Sequence, residues 1–229
     1  MRSNSAILIF SRLPQEEISH KRISPNTGAD LAVWQHFYDR TFKAAKKTGL
    51  PIITCSEKEQ LGNDFAEKIT NAIALAFESG YQKLIVLGAD CAQLNHQHIA
   101  IANNKLQQGA DVVAGRDMRG GIYLLAIDKA AFDSEAFLTF GWQTNKLFTD
   151  IVSYSAEFCF TTLSAVLKDI NTGKDVSAIV HFISARSALK LLLIKLLETT
   201  ASKRHVFSEN ISASIFTRHR ILRGPPALF

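Results

Sequence analysis

The chain has 229 residues and an apolar fraction of 47%, enough for one full hydrophobic core and too apolar for an intrinsically disordered segment. Its formal charge of +5 is unevenly placed: eight of the 26 basic residues but only two of the 21 acidic ones lie from Arg186 onward, leaving the first 185 positions near −1. A nucleic-acid surface on the main body therefore has no electrostatic support, and three scattered cysteines (Cys55, Cys91, Cys159) give neither a disulfide framework nor a zinc knuckle.

The first apolar run, 6–10 (AILIF), reads as a central strand buried on both faces. At about five residues it is too short for a signal-peptide core, and no stretch approaches the ~20 apolar residues of a bilayer span, so a cytoplasmic location is expected. Residues 11–28 form a polar segment with Pro14 and Pro25. Apolar spacing predicts a helix over 30–47, stopped by Gly49-Leu50-Pro51, and then a strand over 52–55. A second helix is predicted over 64–78, ended by Gly80, and a buried strand over 83–88 (KLIVLG). Asn95 is placed to cap a helix reaching about residue 108, followed by strands over 111–114 and 120–127. Helix signals recur over 145–154, a short strand near 158–161, and another helix after Gly173. Such alternation predicts an α/β fold, a mostly parallel sheet covered by helices on both faces, in three layers of Rossmann-like type. Ligands of such sheets lie beyond the carboxyl ends of the strands, which places Ser11-Arg12, Asp90 and the residues around Asp117 on one rim.

Asp90, just past the strand 83–88, is the most informative carboxylate. If exposed at the sheet edge, it suits a divalent cation bridging a diphosphate, because hard cations take oxygen ligands. If sealed inside, or tied up capping the next helix, it can do neither. Trp142 is open between stacking on a ligand ring and packing in the core. His96 and His98, two apart at a helix start, cannot share a face and are expected in solvent. Cys91 has no histidine implied beside it to make it a nucleophile.

The stretches Leu61-Gly62-Asn63-Asp64-Phe65, Gly88-Ala89-Asp90-Cys91, Gly120-Gly121-Ile122-Tyr123-Leu124 and Trp142-Gln143-Thr144 occur in this order with Gly115 between them. Together they resemble the bacterial arsenosugar-biosynthesis-type glycosyltransferases, a branch of the nucleotide-diphospho-sugar transferases, over residues 7–176. The resemblance implies a GT-A fold, a nucleotide-diphosphate sugar and an acceptor as partners, and Mg²⁺ or Mn²⁺ as cofactor. It assigns Asp90 to the metal or the ribose-diphosphate, with Asp169 and Asn171 near the metal. It assigns Arg12 and Arg22 to phosphate contact, and Gly120 and Gly121 to close approach of the sugar. In the first loop Glu16-Glu17 stands where the family has proline and glycine, and glutamates there repel a diphosphate unless they point away. Arg119 stands where the family has aspartate beside the glycine pair, and a guanidinium cannot act as the base, so either Asp117 takes that role, the acceptor differs, or catalysis is lost; Arg119 and Trp142 are expected to line the substrate site.

The main domain is expected to span 1–184, and 185–229 to form an apolar helix with a basic extension. Residues 185–199 read as a helix that packs on the core, touches a membrane surface, or meets a partner protein. Three functions stay open: a metal-dependent glycosyltransferase, a nucleotidyltransferase on the same fold, and a non-catalytic binding or scaffold descendant. The nucleotidyltransferase needs a glycine-rich first loop, whereas 11–22 contains no glycine.

Overall fold

The computed structural model describes residues 4–182 and 190–194. β1 (Ser5–Phe10) is buried along its whole length, as an unbroken apolar run requires of a strand covered on both faces. α1 (Pro14–His20), α2 (Thr27–Lys46), β2 (Ile52–Cys55), α3 (Phe65–Glu78), β3 (Lys83–Leu87), α4 (His96–Gln107), β4 (Val112–Arg116) and β5 (Ile122–Asp128) follow. α5 (Ser134–Thr139), α6 (Leu147–Tyr154), β6 (Phe160–Thr162) and α7 (Gly173–Ile179) complete the described body.

The six strands make one sheet in the order β2-β1-β3-β5-β4-β6. β1 pairs in parallel with β2 and β3, and β4 with β6, while β5 is inserted antiparallel between β3 and β4. Because β5 runs backwards, its start joins the ends of β1, β3 and β4 on one edge of the sheet. Side chains alternate across each strand. Leu8, Val86, Ala114 and Leu125 pack on one face with Ile73 and Phe77 of α3 and Ile151 of α6. Ile7, Ile85, Val113 and Leu124 pack on the other with Ala45 of α2 and Ile99 and Leu106 of α4. This is the three-layer GT-A-type α/β architecture.

Five of the described α-helices start on a side-chain cap: Asn26 at α2, Asp133 at α5, and those of α3, α4 and α7. The Asp64 carboxylate accepts from Glu67 N at α3, Asn95 accepts from Gln97 N and His98 N at α4, and Thr172 accepts from Asp175 N at α7. At α4 the His98 ring accepts from Asn95 N in return and lies edge-on to Tyr123, so His98 is a half-buried cap and not the solvent histidine expected. The polar segment also differs from expectation. Pro14 does not break structure there; it sits in the first turn of α1, where its missing N–H is not needed. Of the C-terminal helix expected over 185–199, residues 190–194 are described and helical, and Leu193 is fully buried against Trp34, Phe37 and Val176. The rest of that helix and the extension over 203–229 lie outside the described residues. Among the described residues no helix is long and apolar enough to cross a membrane.

Candidate functional site

Over the shared strand edge opens a cleft of about 900 Å³. Ser11 and Arg12 enter it from the end of β1, Gly88 to Asp90 from β3, Asp117 from the turn after β4, and Gly121 from the turn before β5. The rim expected from the sequence is therefore assembled in one place. Asp90 is neither sealed nor a cap: its side chain is 27% exposed, and α4 is capped by Asn95.

The carboxylate of Asp90 accepts a hydrogen bond from Lys21 Nζ at 2.6 Å. Lys21 also lies 3.4 Å from Glu17 Oε1, and Arg12 donates to Glu17 Oε2 at 3.2 Å. Burial by itself lowers the affinity of the Lys21 ammonium for its proton, but Asp90 and Glu17 outweigh it and raise its pKa above the usual lysine value. Lys21 faces inward because its backbone is pinned. Trp34 Nε1 donates to Lys21 O at 3.0 Å, and the fully buried Asp30 carboxylate accepts from Ile23 N, Ser24 N and Ser24 Oγ. Arg22, the phosphate contact expected from the sequence, is turned out by the same turn. It is exposed, donates to Thr27 Oγ1, and does not line the cleft. The inward cation is its neighbour Lys21. The sequence did not separate it from Arg22, because the helix α1 that sets Glu17 and Lys21 one turn apart was itself not expected there.

On the other side, the Asp117 side chain ties its own turn. Its Oδ1 accepts from Arg119 N and Gly121 N, both at 2.7 Å. Asp117 lines the cleft but is only 7% exposed. The Arg119 guanidinium donates to Asp175, whose other oxygen accepts from Asn171 N, Thr172 N and Thr172 Oγ1. Burial pulls the Asp175 carboxyl pKa upward, but Arg119 and these donors overcome it and hold it well below the usual carboxylate range. The positive charge of Arg119 is thus matched by an anion at the foot of α7. The two glycines do different things. Gly121 lines the cleft, whereas Gly120, at φ +87°, faces the loop 141–146, and a Cβ there would meet Asn145 O at 2.3 Å. Gly120 serves the approach of two loops and does not line the cleft.

Asp169 and Asn171 arrive on a segment that runs beside the end of β4. Met118 N donates to Leu167 O at 2.9 Å, and Ile170 N donates to Asp90 O at 3.0 Å, which fastens this segment to the β3 loop. Burial, then the negative charges of Asp90 and Asp117, push the Asp169 carboxyl up to about 8. Its Oδ1 is buried and has no hydrogen-bond partner among the described residues. Among the described residues no three His, Cys, Asp or Glu side chains converge as a metal cage. Burial, then the negative charges of Asp169 and Asp90, push the Cys91 thiol far above its ordinary value, which leaves it inert as a nucleophile.

The apolar wall comes from Phe65 and Trp142, with ring centroids 6.0 Å apart. Trp142 lines the cleft, packs against Phe137 and Phe140, and donates its indole N–H to Phe137 O at 2.7 Å. Next to it Gln143, exposed on the cleft rim, holds a left-handed φ of 60°, rare for a residue with a side chain.

This fold matches that of known structures. A candidate nucleotide-diphospho-sugar transferase from Desulfovibrio desulfuricans G20 superposes with a TM-score of 0.72 at 20% identity, covering 84% of this chain and 95% of that one. The 4-diphosphocytidyl-2C-methyl-D-erythritol synthase of Anaerococcus prevotii DSM 20548 gives 0.48 at 9% identity, covering 78% and 95% of the two chains. Rv0371C of Mycobacterium tuberculosis H37Rv, in complex with manganese, gives 0.44 at 12% identity, covering 79% and 100%. At such identities the likeness to the first speaks for a shared fold, and the activity must be argued from the site. A search of curated proteins finds no match. The family model described as "uncharacterized protein conserved in bacteria" (DUF2064) matches residues 24–144, which hold Asp90, Asp117, Arg119 and Trp142, and over more than half its length the chain therefore belongs to that bacterial family.

Proposed function

We propose that the protein binds a nucleotide-diphosphate sugar in this cleft and transfers the sugar to an acceptor. One observation carries the reading. Asp90 stands at the mouth of an open cleft, beside an inward lysine and a second, buried carboxylate, on a fold shared with a candidate nucleotide-diphospho-sugar transferase. Transfer breaks the bond between the anomeric carbon and the diphosphate, so negative charge grows on the leaving diphosphate, and groups aimed at that charge lower the barrier. Lys21, beside Asp90, and Arg12, beside Glu17, are cations lining the cleft that can meet that charge. Asp117 is the carboxylate nearest the glycine turn. It is the candidate to accept the acceptor's proton, with one oxygen already held by the turn that orients it.

The residues present fit a divalent cation. Asp90 and Asp169 repel one another, and the unpartnered buried oxygen of Asp169 is a vacant donor; Asn171 adds a neutral oxygen on the same wall. Two carboxylates without a complete cage suit Mg²⁺ or Mn²⁺, which take the remainder of their shell from ligand phosphates and water. Such a cation, when bound, neutralises the diphosphate as it leaves. The nucleotidyltransferase alternative is less well supported, because the first loop, without glycine, contains the helix α1 in place of a backbone cradle for a triphosphate.

Isothermal titration with a panel of nucleotide sugars and Mn²⁺ tests the proposal. Wild type should bind at least one, and Asp90→Ala should weaken that binding by about tenfold or more, the cost of a charge-assisted contact. If no member of the panel binds wild type, the proposal is wrong. Binding without release of nucleoside diphosphate in the presence of acceptors would point to the non-catalytic descendant.

A further inference from the structure

Glu17 does not point away from the cleft, as the repulsion of a diphosphate would require; it turns into it. Its side chain is 12% exposed, and its two oxygens are divided between two cations, Oε2 toward Arg12 at 3.2 Å and Oε1 toward Lys21 at 3.4 Å. All three residues line the cleft. One carboxylate bridging an arginine and a lysine makes the contacts a phosphate group would make with the same pair. The surroundings sharpen the point. Arg119 is matched by Asp175, His20 lies against Glu16, and Lys21 already serves Asp90. Each inward cation of the first loop thus faces an anion of the protein itself.

Resting on the transferase reading above, we infer that Glu17 is an internal stand-in for phosphate, which occupies the Arg12–Lys21 subsite and must be displaced before a ligand's diphosphate can take it. The helix that carries Glu17 is suited to such an exchange. α1 has seven residues, its cap residue Leu13 makes no side-chain cap, and Leu13 N is held instead by the Glu57 carboxylate at 2.8 Å. The exchange trades one anion for another on the same two cations. The subsite therefore rejects neutral and singly charged ligands, for which displacement of Glu17 brings no gain, and accepts a diphosphate, whose higher charge outweighs it.

The test uses inorganic pyrophosphate as probe, by isothermal titration of the full chain in metal-free buffer. Glu17→Gln keeps size and helix propensity and removes the charge; it should bind pyrophosphate about tenfold more tightly than wild type, with a steeper loss as salt rises. Adding Arg12→Ala to Glu17→Gln should abolish the gain, and thermal melts confirm that each variant folds. If Glu17→Gln binds pyrophosphate no more tightly than wild type, Glu17 only positions the cations and the inference is overturned. The nucleotide-sugar panel, run on the same proteins, separates the two readings. Nucleotide-sugar binding without a pyrophosphate gain removes this inference alone. A pyrophosphate gain without nucleotide-sugar binding keeps the subsite and removes the transferase. Binding of neither probe by any variant removes both.

Discussion

Gly120→Ala isolates the close approach between the turn 117–121 and the loop 141–146. Two costs act. An L side chain at φ +87° adopts the left-handed region, about 1–2 kcal/mol. In addition, the new Cβ would lie 2.3 Å from Asn145 O, so the loop must withdraw by about 1 Å to restore ordinary contact. That withdrawal pulls on the bond from Phe148 N to Gly120 O, 2.9 Å long, whose loss is worth about 0.5–1.5 kcal/mol. The total is about 2–4 kcal/mol once the disturbed start of α6 is included. Gly80→Ala is the matched control: its φ is +98°, yet no other atom of the described residues lies within 4 Å of the added Cβ, so it should lose about 1–2 kcal/mol from conformation alone. Urea denaturation of wild type and both variants at pH 7 gives the comparison. Equal losses for the two variants, within about 0.5 kcal/mol, would refute the claim that loop contact demands the glycine.

Two further outcomes follow from buried carboxylates. Asp30→Ala leaves Ile23 N, Ser24 N and Ser24 Oγ buried without their acceptor and should cost about 3–5 kcal/mol in chemical denaturation; a loss below about 1 kcal/mol would mean that the turn carrying Lys21 is held by something else. Asp169 keeps its proton in the folded state up to about 8, while the unfolded chain releases it near 4, so the folded state binds more protons between these values. Stability from this group is complete below about pH 4 and is lost as pH rises toward 8. Wild type should therefore fall relative to Asp169→Asn across pH 5–8, by at most about 1.4 kcal/mol per pH unit, in thermal melts; a constant gap over that range contradicts the shift.

Much of the sheet was legible because β1 and β3 are unbroken apolar runs, and the helices because Asp64 and Asn95 stand directly before periodic segments. The direction of β5 was not. A strand buried on both faces carries the same apolar run whichever way it points, so its antiparallel insertion leaves no mark in the sequence. The helix α1 was missed because Pro14 reads equally as a breaker and as a first-turn residue. At the site, Arg12, Asp90 and Asp117 were placed on the correct rim by the ends of their strands, and Asp169 and Asn171, expected nearby only from the family resemblance, line the same cleft. The choice between Lys21 and Arg22 was not legible. It depends on two contacts, from Trp34 and from Asp30, that exist only once α2 has packed beneath the loop.

The hydrogen bond from Ile170 to Asp90 unites polypeptide from the first half of the chain with polypeptide laid down long after it. Closing so wide a span carries an entropic penalty that only completed packing repays. A chain emerging during synthesis can bury β1 to β5 and still lack Asp169, whose segment follows the short edge strand β6. The pair of facing carboxylates is consequently among the last features to form, and local fraying of that edge should dismantle the mouth of the cleft before it disturbs the centre of the sheet.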